Sequence, residues 1–142
     1  MGCTCDKEKL FNSGILVEHT EGAVLPPQEA WEAKKGGYVV IECPKRIPCN
    51  PCYTSCPTGA VLPFEDINDV PQIDYAKCTG CGICVSRCPG LACFVIDMTY
   101  AADKAVIKLP YEMLPLPAKG DIVDAVDREG RTVGDAEVLA VL

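Results

Sequence analysis

Histidine is nearly missing from this chain: His19 is the single one in 142 residues. A Ser-His-Asp relay therefore has no credible base. The three serines, Ser13, Ser55 and Ser86, lie outside any G-x-S-x-G turn. Glycine loops of the G-x-G-x-x-G and G-x-x-x-x-G-K-[ST] kinds are absent, so no nucleotide-phosphate cradle is expected. No apolar run approaches the roughly 20 residues of a membrane-crossing helix. The opening MGCTCDKEKL lacks the basic-then-apolar order of a secretory signal, so a cytoplasmic setting is expected. Gly2 starts no myristoylation pattern, because Asp6 stands where Ser or Thr is required. Positive charge is short as well. A net charge of −7 argues against nucleic acid and suits solubility or docking on a basic partner surface. Catalysis by this chain alone is not expected.

What the chain has in excess is cysteine, 11 residues in all. Such a count means a disulfide scaffold in a secreted chain or metal binding in a reducing compartment. The tight gaps favour metal, since neighbours two residues apart share a metal more readily than they staple distant loops. Eight of the cysteines form two groups, Cys43, Cys49, Cys52 and Cys56, then Cys78, Cys81, Cys84 and Cys88. CNPCYTSCPTGAV from Cys49 overlays CGICVSRCPGLAC from Cys81 at a constant offset of 32 residues, 49 to 81, with Pro57 on Pro89 and Ala60 on Ala92. Cys43 and Cys78 break that offset, which reads as three extra residues in the first half, within PKRIP. Short apolar runs, GYVVIE and PQIDY, precede each group, so each half is expected to run strand, cysteine loop, short helix, strand.

The second group, CTGCGICVSRCP, is the C-x2-C-x2-C-x3-C-P run of bacterial ferredoxins. Two-residue gaps in a tight loop turn three sulfurs towards one centre, and Gly80 and Gly82 let the backbone come close. With CPTGA after the first motif and CPGLA after the second, residues 38–97 resemble a bacterial-type ferredoxin carrying two 4Fe–4S clusters. The resemblance implies crossed ligation. Cluster one would take Cys43, Cys49, Cys52 and Cys88, and cluster two Cys78, Cys81, Cys84 and Cys56. Zinc knuckles and a disulfide framework are the competing readings, and a three-iron cluster with Cys43 free competes at the first site. Cys93 is expected to be a small buried hydrophobe. Cys3 and Cys5 read as a redox-sensitive tail, and His19 as a histidine with no ligand role. Lys45, Arg46, Lys77 and Arg87 flank the cysteines, and Tyr53 and Tyr75 are candidates to shield clusters from water.

The expected fold class is α+β: a ferredoxin-like pseudo-twofold core at 37–97, an N-terminal extension at 1–36 and a β-rich extension at 98–142. The N-terminal part should hold a short helix in PPQEAWEAKK, opened by its prolines and stopped by Gly36 and Gly37. In the C-terminal part KAVIKLP, the two arms of DIVDAVDREGRTVG, and AEVLAVL read as strands. A free ferredoxin needs little beyond the repeat, so the extensions suggest a subunit. IECPKRIPCNPCYTSCPTGAV, CPGLA and GDIVDAVDREGRTVGDAEV are similar to the small iron–sulfur components of flavin-dependent amino-acid and amine dehydrogenases. That implies flavin-containing dehydrogenase partners in a hetero-oligomer, a further iron–sulfur subunit among the candidates. A free-standing ferredoxin and a redox-sensing or structural cluster domain stay open as alternatives.

Overall fold

The computed structural model describes residues 12–13, 15–16, 23–33 and 36–142. Cys3, Cys5 and His19 lie outside the described residues.

The core is built round one strand. β2 (Tyr38–Glu42) is Tyr-Val-Val-Ile-Glu, and its first four residues are all buried. An unbroken β-branched run of this kind marks a strand covered on both faces rather than one. It pairs antiparallel with β1 (Ala23–Val24) on one side and β3 (Cys93–Asp97) on the other. β4 (Val106–Lys108) adds to the outer side of β3, completing a four-stranded antiparallel sheet in the order β1-β2-β3-β4. Strands from both expected extensions thus join the sheet of the central repeat. The short helix α1 (Gln28–Ala33) follows Pro27 as expected. It sets Trp31 edge-on against Tyr38, and Tyr38 meets Tyr75 in the same way, with ring centres 5.8 and 5.7 Å apart.

Two single-turn helices follow the cysteine loops, α2 (Pro51–Thr54) and α3 (Ile83–Arg87). Pro51 starts α2, where its missing N–H costs nothing. PQIDY does not form a strand. Ile73 makes one isolated bridge with Val61, because the chain turns at once into the second cysteine loop.

β5 (Ile122–Val126) and β6 (Thr132–Glu137) form a separate antiparallel ribbon with a bulge at Ala125/Val126. The Asp127 carboxylate shapes its turn by accepting from the backbone N–H of Glu129 and Arg131, while Gly130 takes φ +78°. AEVLAVL does not form a further strand: Ala136 and Glu137 end β6, and Val138 exchanges backbone bonds with Gly120 and Asp121. Beyond it, residues 139–142 find no ladder among the described residues. Arg128 at the ribbon turn forms a two-pronged ion pair with Glu42 at the end of β2. No helix among the described residues is long and apolar enough to cross a membrane.

Candidate metal centre

Backbone pairing fixes where the two cysteine loops start and stop. Ile41 stands opposite Cys93, and Val61 opposite Ile73. The Glu42 N–H donates to the Ala92 carbonyl, and the Asp74 N–H to the Ala60 carbonyl, each at 2.8 Å. Every one of these positions maps onto its counterpart at the offset of 32 residues, 41 to 73 and 61 to 93. The offset therefore holds upstream of the cysteines as well as downstream. The expected three-residue insertion is corrected accordingly: the loops from Glu42 to Cys49 and from Asp74 to Cys81 are of equal length. Cys43 is simply three positions earlier in its loop than Cys78 is in its own. At the matching places stand Tyr75, opposite number of Cys43, and Arg46, opposite number of Cys78.

The sulfurs gather in two places. Cys43, Cys49, Cys52 and Cys88 line one cavity, whose empty space is about 390 Å³ including its open mouth; Ile41, Phe64 and Pro71 are among its walls. Cys56, Cys78, Cys81 and Cys84 line the second, about 340 Å³ by the same measure, with Val39, Val61 and Val95. Of the eight motif cysteines, three in each cavity come from one half and the fourth from the other; Cys93 also lines the first cavity. No described cysteine is in a disulfide. Among the described residues no three His, Cys, Asp or Glu side chains close on a single metal ion; the sulfurs surround a space instead.

Local structure aims these groups. The Ala60 N–H donates to Cys56 Sγ at 3.2 Å and the Ala92 N–H to Cys88 Sγ at 3.3 Å, the same four-residue return in both halves. The Val39 N–H donates to Cys78 Sγ at 3.5 Å. Gly80 has φ +67°, and a Cβ there would run into the backbone of Gly37 at the start of β2. Its small size thus lets the second loop lie on the central strand, which differs from the approach to a cluster that spacing alone suggests.

Electrostatics differ between the cavities: the first favours a proton or a cation on its sulfurs, and the second favours thiolates. Burial raises the pKa of Cys43, and the neighbouring Cys88 and Cys49 raise it further. Burial is also the main cause that lifts Cys52 to about 11. Cys56 is also pushed up by burial, but the backbone N–H groups of Val61, Thr58 and Ala60 and the Thr58 hydroxyl outweigh this and hold it below the usual thiol value. A hydrogen bond from Cys93 lowers Cys84. Four thiolates converging on one space repel one another unless a positive centre binds them, and amide donors to sulfur are the outer support such a centre receives. The donor set therefore fits iron–sulfur clusters.

Other expectations are placed as follows. Lys45 lines the first cavity. Arg46 turns to Asp69 at 3.4 Å, and Lys77 to Asp74 at 3.0 Å. Tyr53 stacks on Phe64, 6.0 Å between ring centres. Tyr75 is packed beside Tyr38, and burial raises its phenol pKa. Its hydroxyl is buried with no hydrogen-bond partner among the described residues. Cys93 is 1% exposed, as expected of a core residue. Sequence reading missed Lys108, whose Nζ donates to the Gly80 carbonyl at 2.9 Å. Only the pairing of β4 with β3 brings it to the second loop.

Residues 42–92 match the 4Fe-4S dicluster domain family. A thiosulfate reductase electron transfer subunit of Salmonella typhi is 41% identical over 54 residues, which is 38% of this chain and 27% of that protein. A pyruvate synthase subunit of Methanocaldococcus jannaschii is 42% identical over 50 residues, 35% of this chain and 56% of its own. A tetrathionate reductase subunit of Salmonella typhimurium is 37% identical over 68 residues, 46% of this chain and 26% of its own. The chain thus spans from about a quarter to just over half of these relatives. No solved structure matches it.

Proposed function

We propose that this chain is an electron-transfer subunit of an oxidoreductase complex, holding two 4Fe–4S clusters in a pseudo-twofold core. Cys43, Cys49, Cys52 and Cys88 would hold the first, and Cys78, Cys81, Cys84 and Cys56 the second. The observation that carries the reading is the division of eight cysteines into two sets of four, each sharing a cavity and each borrowing one sulfur from the other half. Bound clusters of this type take up and release single electrons.

The chain's own part is to hold, insulate and connect. Amide N–H groups of Val39, Ala60 and Ala92 donate to ligand sulfurs and favour added negative charge. Ile41 and Phe64 at one cavity, and Val39, Val61 and Val95 at the other, give each an apolar wall. The borrowed sulfurs, Cys88 and Cys56, sit at the ends of the same short helices that supply ligands to the opposite cavity, so the two sites share covalent structure.

For the partner, we infer a flavin-containing dehydrogenase chain, so that a two-electron oxidation is passed on one electron at a time. The C-terminal ribbon supports a fixed subunit over a free carrier. Two strands alone bury little, and Ile122, Val126 and Val133 are exposed on it. The relatives favour a second reading on the partner's chemistry, since their names are those of thiosulfate and tetrathionate reductase and pyruvate synthase subunits. Gentle anaerobic purification tests both. The expected result is about eight irons per chain, with a co-purifying catalytic chain that carries flavin. A catalytic partner without flavin supports the second reading. A monomer reduced rapidly by a generic ferredoxin reductase, with no partner retained, overturns the subunit reading. Iron-free or zinc-loaded protein overturns the clusters.

A further inference from the structure

The two cysteine loops are held by different kinds of bond. In the first, the Cys49 N–H donates to the Ile67 carbonyl at 3.2 Å, one uncharged peptide group against another. In the second, the Gly80 carbonyl, next in sequence to Cys81, accepts from Lys108 Nζ at 2.9 Å. Cys81 is the counterpart of Cys49 at the offset of 32 residues. Gly80 lines the second cavity together with Cys56, Cys78, Cys81 and Cys84.

Strand register explains how the lysine reaches the loop. Lys108 pairs directly with Val95, which also lines the second cavity. Residues opposite one another in a ladder share a face of the sheet, so Lys108 leaves β4 on the side that Val95 turns to that cavity. Its stem then passes Gly82, where an added Cβ would lie 3.5 Å from Lys108 Cδ. The side chain thus crosses the loop on both sides of Cys81. Among the described residues no carboxylate pairs with Lys108, whereas Arg46 and Lys77 turn to Asp69 and Asp74. β4 itself has no counterpart beside Val61 in the first half among the described residues.

We propose that Lys108 is a positioning residue for the second cluster: it ties down the Gly80 carbonyl of that cluster's loop and brings a positive charge that makes the cluster easier to reduce than an uncharged side chain would. The inference rests on the reading that the second cavity holds a cluster. One electron, from the complex's donor or from dithionite in a titration, adds one negative charge there, and no bond is made or broken. A cation fixed nearby favours the reduced form over the oxidised form. Lys108 is exposed on its outer side, so water and salt weaken the effect without removing it.

The test uses the full-length native chain with the Lys108→Met, Lys108→Arg and Lys108→Glu variants, reconstituted anaerobically, analysed for iron, and titrated with dithionite under electron paramagnetic resonance. The second cluster's step is identified as the one that Cys81→Ala abolishes. With iron at about eight per chain, Lys108→Met should make that step about threefold harder, about 28 mV for one electron, and leave the other step in place. Lys108→Glu should move it the same way about twice as far, and Lys108→Arg, which keeps the charge, should stay near the native value. Added salt should narrow the gap between the native and methionine proteins. If methionine prevents loading, Lys108→Gln carries the same comparison. Full iron with neither step moved by methionine or glutamate overturns the inference and leaves the clusters standing. Equal shifts in the methionine and arginine variants, or a shift indifferent to salt, would make the effect one of loop packing and overturn it too. A native chain without iron would remove the two-cluster reading, and this inference with it.

Discussion

The two cysteine loops span equal lengths of chain, yet they deliver their leading sulfur from different places. In the first, Cys43 follows Glu42 directly at the end of β2. In the second, Tyr75 holds that place against Tyr38, and Cys78 comes three positions later. Each leading cysteine still lines a cavity with three others of the eight motif cysteines. The difference teaches that the strand pairing and the cavity are the fixed quantities. The position of a sulfur along the loop can vary if its side chain still reaches the same space.

The strongest way to break the comparison is to remove the borrowed sulfurs. Cys88→Ala belongs by sequence to the second motif, but by the crossed arrangement it should abolish the same signal as Cys49→Ala. Cys56→Ala should abolish the one lost in Cys81→Ala. Iron should fall from about eight towards about four in each. Paramagnetic resonance of the reduced proteins checks this, and losses grouped by motif instead of by cavity would refute the crossing.

Two left-handed glycines sharpen it next. Gly59, in the first half, has φ +65° with open space beside it, whereas Gly80 has φ +67° and the Gly37 backbone against it. Both alanine variants bear the left-handed penalty of about 1–2 kcal/mol. Gly80→Ala should lose a further 1–3 kcal/mol, roughly, from overpacking. Denaturant midpoints of the two variants give the difference, and equal losses would deny the close approach.

Tyr75→Phe tests the residue that replaces Cys43 in the second loop. It removes a buried hydroxyl without a partner among the described residues. The variant should be more stable by about 1 kcal/mol, read from its thermal or denaturant midpoint. A loss of stability would mean that the hydroxyl has a partner.

Smaller effects attach to the equivalent carboxylates Glu42 and Asp74, the one paired with Arg128 of the ribbon and the other with Lys77. Arg128→Ala should cost less than about 1 kcal/mol, and less again at high salt. Asp74 has its pKa depressed, first by its hydrogen bond with Lys77 and then by that group's charge. The sign follows from the depression: its contribution is present above the ordinary carboxyl value of 3.8 and is lost as pH falls through the lower folded pKa. Asp74→Asn should flatten that acid limb. A carboxyl titration followed by nuclear magnetic resonance checks the direction.

Much of this was legible because ligation spacing and strand patterning are local. C-x2-C-x3-C-P and C-x2-C-x2-C-x3-C-P, the buried run of β2, the helix after Pro27 and the turn at Asp127–Gly130 each occupy one short window. The errors fell where a window is not enough. PQIDY has a strand-like composition, but it has room for only one bridge before the loop begins. AEVLAVL has the apolar content of a strand, but no neighbouring ladder among the described residues accepts its last residues. The supposed insertion near PKRIP came from aligning on the cysteines, whereas the backbone aligns on Ile41 and Ile73.

By itself, the sequence determined that eight cysteines would stand in two related groups, and that a duplicated unit with a fixed spacing would carry them, since those are properties of order along the chain. Which four motif sulfurs share a space, and why Gly80 cannot carry a side chain, were decided only by the tertiary structure. Each depends on segments far apart in sequence being brought into register by β2 and β3, and no single stretch of residues contains that information.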